Sequence, residues 1–382
     1  MGYVVHFGDL QTGAIHGTLP CVSASCSDEL RAAGSFRAVL SLAGSAQVWS
    51  RLAGGPADMW AVEWADDFGR RIVAAGPLLP VAFAENGQVS LSGAGLWWVW
   101  GRRIAVHRNW APSSASSVPP AAATPAWIMS GWDLGTIMMF ICRETSELAG
   151  ADAVLPVVWE DARGGSHDRT YQPYDLVTVA QRVSELGNVE AGTDGLGGPD
   201  WAFFPEMVPG ENRVQWRMVT GTQSQPSILA DDPPLQLDAS APGQQRLRKL
   251  TGTRNGSTRA TRVFSSGGGT EETKVIQVAQ APGSIRLDAV VTNDALDDAT
   301  VQGYADAELT KRNVTPSSLQ LQVDASWWWS QTAGVGSPVW LSWPGHPAAG
   351  DLDLWQRVVA WQVDDISSRW VTLTLADTTV QI

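Results

Sequence analysis

Three runs near the C-terminus alternate apolar and polar residues one for one. "SLQLQVD" puts Leu319, Leu321 and Val323 on one side, "VVAWQVD" does so with Val359, Trp361 and Val363, and "RWVTLTLA" with Val371, Leu373 and Leu375. A period of two is the geometry of a half-buried strand. Such strands complete their backbone hydrogen bonds only on neighbours, so residues 313–382 are expected to form a small antiparallel barrel. The chain opens in the same way. "SFRAVLSL" sets Phe36, Ala38, Leu40 and Leu42 against Arg37, Val39 and Ser41, and "QVSL" aligns Val89 and Leu91. Short strands with turn punctuation continue through "LWWVWGRRIAV", a short helix or strand, and define a barrel-like module over 1–110.

The region between them reads differently. "APSSASSVPPAAATPA" (111–126) has no period and is a linker by composition. Residues 127–312 form a mixed α/β region. In "WIMSGWDLGTIMMFICRETSE", helical spacing places Ile128, Trp132, Met139 and Cys142 on one face. "YDLVTVAQRVSELGN" is a clearer helix, with Asp175 at its start, Leu176, Val179, Ala180 and Val183 as its stripe, and Gly187 and Asn188 as its stop. A hairpin over 197–220 follows, starting with "GGPDWAFFP". In extended backbone Trp201 and Phe203 share a face, and Val214, Trp216 and Met218 line up on the returning arm, so these five are expected to be packing residues rather than a ligand platform. Residues 231–292 read as mostly β. A long helix over 293–312 carries Asp294, Asp297 and Asp298 in its first turn, Lys311 and Arg312 at its end, and Val301, Tyr304, Ala305 and Leu309 as its stripe. The fold class is therefore mainly β with an α+β middle: antiparallel β-barrel-like modules at both ends flanking a mixed region.

Charged residues make up only 17% of the chain, as in a protein whose surface is covered by neighbours or in a Gly- and Pro-rich β protein with neutral loops. The 20 tryptophans cluster in "LWWVWG", "SWWWS" and "VWLSW". Trp327, Trp328, Trp329, Trp340 and Trp343 are candidates for a subunit interface; the barrel's own core and sugar stacking are the alternatives. A net charge of -13 argues against a protein that tracks phosphates, and the basic stretch "RLRKLTGTRNGSTRATR" reads as a solvated loop beside a strand. Three irregularly spaced cysteines give neither a disulfide framework nor a zinc site. No signal peptide and no membrane span is expected.

Chemistry-bearing patterns are absent from the sequence. No "GxSxG" elbow, phosphate loop or dinucleotide fingerprint occurs. Glu160, Asp161, His167 and Asp168 in "WEDARGGSHDR" fall in a hairpin loop, which is weak ground for a metal. The expectation is a non-enzyme with no catalytic residue, cofactor or metal.

The order of the pieces adds a resemblance. "GSFRAVLSL", "GLWWVWGRRI", the "YDLVTVAQRV" helix followed by "GGPDWAFFP", the helix "DATVQGYADAELTKR" leading into "LQLQVD", and the closing "WQVDDISSRWVTLTLA" together resemble the minor tail proteins of long-tailed phages infecting Gram-positive, high-GC bacteria. In particular they resemble the tail-tip (baseplate) hub, a structural virion protein similar in fold to contractile-phage baseplate hubs and secretion-system spike hubs. The resemblance implies a homotrimer in which two tube-like barrels per subunit present six barrels to a sixfold tail. It implies as partners a distal tail protein ring, the tape measure protein and tail-tip or fibre proteins. Phage DNA would pass a channel that the hub closes or opens, without specific binding. The location implied is the tail tip of the virion, after assembly in the host cytoplasm. The competing expectation is a carbohydrate-binding tail-tip protein that recognises its host through Trp platforms.

Overall fold

The computed structural model describes residues 2–41, 52, 57–67, 69–83, 88–105, 126–148, 154–172, 175–189, 198–222, 224–240, 246–254, 257, 259–282, 285–293, 295–313 and 317–377. The expected linker at 111–126 lies outside them except for Ala126. The chain opens with strands β1 (Gly2–Asp9), β2 (Ile15–Thr18), β3 (Cys21–Glu29), β4 (Ser35–Ser41), β5 (Asp58–Asp66), β6 (Gly69–Phe83) and β7 (Gln88–Ala94), followed by a one-turn helix, α1 (Trp97–Trp100). The strands pair antiparallel in the order β3-β4-β7-β6-β5-β1-β2.

The middle contains β8 (Trp127–Trp132), α2 (Leu134–Leu148), β9 (Val157–Val158), β10 (His167–Tyr171), α3 (Val179–Gly187) and the hairpin β11 (Trp201–Met207) and β12 (Val214–Thr220). After β13 (Leu235–Asp238) and β14 (Leu247–Arg254), a small unit is inserted. In it β15 (Arg262–Ser266) lies between β16 (Ile276–Gln280) and β17 (Asp288–Thr292), and α4 (Asp298–Arg312) packs on the three strands. The chain ends with β18 (Ser317–Asp324), α5 (Ala325–Ser330), β19 (Pro338–His346), β20 (Gly350–Val363) and β21 (Trp370–Asp377). These pair as β14-β18-β21-β20, with β19 on β20 and β13 running parallel to β19. Strands β13 and β14, from the expected middle region, thus hydrogen-bond into the C-terminal sheet.

The class is the expected one: mainly β, two antiparallel β modules and a mixed middle. The barrels themselves need correction. Among the described residues neither module closes; the two merge into one 13-stranded sheet. The joint is antiparallel pairing of Ala360–Val363 of β20 with Cys26–Glu29 of β3. Its cause is strand length. β20 runs for 14 residues and pairs with β19 over its first part and with β21 over its second, so the far side of its last residues is open to β3.

Two cores result. One runs through both modules, joining Phe36, Leu40 and Trp60 to Leu321, Trp328, Val339 and Leu373. The other lies between the first module and the middle, joining Met59, Ile72 and Trp100 to Met138, Val183, Trp201 and Trp216. Strand β5 separates them: Trp60, Val62 and Trp64 face the first core, and Met59 and Ala61 face the second.

Several local expectations change. The "WIMSGW…" segment is a strand and then a helix, because Gly131 turns at φ 72° and Asp133 restarts the chain by accepting the Thr136 amide at 3.1 Å. Ile128 is therefore exposed, while Met139 and Cys142 are buried on α2. Helix α3 is capped by Thr178, which accepts the Gln181 amide at 3.2 Å; Asp175 binds Arg182 at 2.6 Å, and Leu176, at φ 48°, points into solvent. Helix α4 starts at Asp298 behind an Asp297 cap, and Tyr304 of its expected stripe is exposed. In β20 a register shift between Val358 and Ala360 puts Val358, not Val359, in the core with Trp361 and Val363.

Candidate functional site

A buried carboxylate with two arginine partners sits where the three regions of the chain meet. Asp200 is fully buried just ahead of β11. Its carboxylate accepts Arg31 Nε at 2.5 Å from the turn after β3, and Arg357 Nη1 at 2.5 Å from β20. One carboxylate thus ties both β modules to the middle. Arg31, at φ 62°, also donates to the carbonyls of Gly198 (2.5 Å) and Gly187 (3.1 Å), and its backbone amide to Trp201 O. Arg357 donates further to Ser227 Oγ at 3.1 Å. Gly187 is required here, since a Cβ would stand 2.4 Å from the Trp201 ring.

The hairpin residues follow from this anchor. Trp201, Phe203, Val214, Trp216 and Met218 are all buried, with Phe203 opposite Met218 and Trp216 opposite Pro205 in an unbroken register. Trp97 of α1 meets the rings of both Trp201 (5.4 Å) and Phe203 (6.0 Å), and Trp216 donates its indole N–H to Ala75 O at 3.4 Å. No face of this set is left as a platform for a ligand.

The second tryptophan set divides. "SWWWS" is a helix, α5, started by Asp324, which accepts the Trp327 amide at 3.2 Å and is paired with Arg369. Trp328 and Trp329 are buried in the chain's own core. Trp329 joins the modules within one chain. It donates to Tyr3 Oη at 2.8 Å and meets Trp361 edge-on at 5.1 Å, while Arg71 of β6 donates to the carbonyls of Gln331 (2.6 Å) and Ala333 (3.0 Å). Trp327 and Trp343 pack partly buried against the same core. Trp340 lies opposite Trp355 across β19 and β20 and donates to Asp353 at 2.5 Å; Trp355 is 49% exposed. Sequence reasoning missed Trp355, which "DLDLWQRVV" shows as an isolated Trp in an alternating run.

The acidic loop residues are structural. Glu160 accepts Arg163 at 3.0 Å and the Thr220 amide at 3.2 Å, and Asp168 accepts Ser130 and the Gly131 amide. Among the described residues no three His, Cys, Asp or Glu side chains are placed to hold a metal, and no helix is long and apolar enough to cross a membrane. Beside the β3–β20 joint a cleft of about 430 Å³ is lined by Asp28, Glu29, Lys249, Gln320, Gln362 and Asp364 among others. Burial pushes the Asp28 carboxyl up to about 7, against the opposing hydrogen bond from the Glu29 amide.

The chain matches no family model and no curated protein. Solved structures do resemble it. The tail protein from Neisseria meningitidis MC58 is 14% identical with a TM-score of 0.55, over 99% of this chain and 97% of that one. The 43 kDa tail protein of prophage MuSo2 from Shewanella oneidensis is 10% identical with a TM-score of 0.59, over 99% and 98%. A chain of the lidded PdpA–VgrG complex of Francisella is 10% identical with a TM-score of 0.52, over 98% of this chain and 52% of that one. At such identities the likeness shows fold alone: this chain has the fold of phage tail proteins.

Proposed function

We propose that this chain is a structural protein of a phage virion, a trimeric hub at the tail tip that joins the tube and its distal tail protein ring to the tip or fibre proteins. The observation that carries the reading is end-to-end coverage: two tail proteins match nearly the whole of this chain with nearly the whole of their own. The interior is consistent with it, because the buried Asp200 carboxylate ties both β modules to the middle region. The five packing residues of the hairpin and the three-way tie at Asp200 join the middle region to both β modules, as a subunit that acts as one piece would need. The modules 1–110 and 313–382, the second completed by β13 and β14, are the tube-like units of this hub, around a channel that DNA passes without specific binding. The tape measure protein would end at the same ring, and assembly would take place in the host cytoplasm. The host class, Gram-positive and high-GC, rests on the sequence resemblance alone. Mass spectrometry and antibody labelling of purified particles test the reading: the protein is expected at the tail end distal to the head, and its absence from particles would overturn it.

One observation favours a second role. Trp340 and Trp355 form a cross-strand aromatic pair beside Asp353 and Ser342 on an outward sheet face, a surface suited to a sugar ring. Trp355→Ala should abolish cell-wall glycan binding if this role exists, and leave the assembled particle unchanged.

A further inference from the structure

The unit formed by β15, β16, β17 and α4 is covered on one side only. Val301 and Ala305 of α4 are buried on that side, together with Val263 of β15 and Ala279 of β16. The pairing fixes what the other face carries, since neighbouring residues of a strand point opposite ways. Val278, Phe264 and Val290 stand abreast across the three strands, and Ile276, Ser266 and Thr292 form the row beyond them. This face meets solvent: Ile276 is 57% exposed, Val278 43% and Val290 66%. Its remaining row is Gln280, Arg262 and Asp288. There Arg262 binds Asp288 at 2.8 Å and lies over the Phe264 ring at 4.4 Å, and Arg286 approaches the same carboxylate at 3.4 Å. The face is thus aliphatic, with two arginines to one carboxylate at its edge. Sheets bury such a face under a second layer, and among the described residues no layer of this chain covers it.

The helix on the other side of the unit has the complementary character. From Leu296 to Thr310 the charged residues are Asp297, Asp298, Asp306 and Glu308, with no lysine or arginine among them. Asp298 and Asp306 are exposed, as are Leu296 ahead of the first turn and Tyr304 on the helix flank. Gly303 lies at the centre of the outer face. A Cβ there would meet nothing within 4 Å, so the chain itself gives no reason for a residue that weakens the middle of a helix. The missing side chain does suit the close approach of a second surface.

We infer that the chain docks on a second copy of itself through these units, with the apolar sheet face of one laid on the outer face of α4 in the next. Charge chooses the occupant: the sheet face offers arginines beside aliphatic side chains, and the helix face offers carboxylates beside a low surface at Gly303. The lengths agree as well, because five-residue strands span ~17 Å and the 15-residue helix ~22 Å. The two patches lie on opposite sides of one unit and cannot meet within a chain, so the contact is heterologous. It lies outside both β modules and stands whether or not the protein sits at a tail tip.

Thiol cross-linking of the full chain tests it. In a Cys21→Ser background, Val290→Cys on the sheet face and Ala307→Cys on the helix are compared singly and together, with a bismaleimide too short to reach across one unit. Melting curves of each variant establish that it is folded. The expected result is covalent multimers with the pair and monomers with either single variant. Adding Gly303→Leu, a better helix former that fills the approach, should remove the multimers without lowering the melting temperature. Monomers from the folded pair would overturn the contact and leave the sheet face to another protein. Multimers from Val290→Cys alone, as efficient as from the pair, would overturn it in favour of two sheet faces meeting. Multimers that survive Gly303→Leu would also overturn it. The form of the multimers reports separately on the hub: a ladder stopping at three supports the trimer, and an open-ended ladder upholds this contact while contradicting the trimeric hub.

Discussion

At the scale of residues, stability depends on a few buried polar groups placed between regions. Asp200→Asn removes the charge that two arginines share. Both guanidiniums are partly exposed and can turn to water, so the expected cost in denaturant unfolding is about 2–3 kcal/mol, below the ~3–5 of a fully enclosed pair. Trp201→Ala should cost ~3–5 kcal/mol, as large-to-small core changes do. A Trp201→Ala protein of unchanged stability would mean that the ring is not packed as described. Asp28 gives a pH signature. Its folded pKa, about 7, lies above that of a free carboxyl, so the folded state holds this proton more tightly. The resulting stabilisation is complete below the ordinary Asp range near 4 and is lost as pH rises toward 7. Melting temperature followed from pH 4 to 8 should fall less for Asp28→Asn than for the unmodified chain. Parallel curves for the two proteins would contradict this assignment.

At the scale of elements, what the sequence showed and what it hid have physical causes. β4, β18 and β21 are covered on one face, so they alternate and are legible. β5 is covered on both faces by different cores, so "DMWAVEWAD" has no period and passes unnoticed. "SWWWS" is too short to show a helical period, and its state is decided by the Asp324 cap and by burial. The Asp200 tie was invisible because Arg31, Asp200 and Arg357 meet only through tertiary structure, although the motif around Asp200 was singled out. Open modules replace closed barrels for a similar reason: the partner of β3 lies at the opposite end of the chain. Arg71 tests this level. It binds two carbonyls just beyond α5 from a strand of the other module, so Arg71→Ala should cost ~2–3 kcal/mol. Hydrogen exchange should show that cost as faster opening of α5, and unchanged protection there would argue against a tie between modules.

At the scale of the whole molecule, one sheet and one shared core make the two β modules a single cooperative unit. Calorimetry should show one transition for both. The unit of β15, β16, β17 and α4 lies outside both cores, with Val263, Ala279, Val301 and Ala305 buried in a small packing of its own, and should exchange its amides at lower protection. Separate melting of the modules would contradict the continuous sheet. The chain is therefore a pair of β modules joined through one continuous sheet. Reconstruction of the tail tip from purified particles tests the proposed hub most directly. The account predicts three copies of this chain in a ring at the tip, with six similar β modules facing the sixfold tube. One or six copies would contradict it.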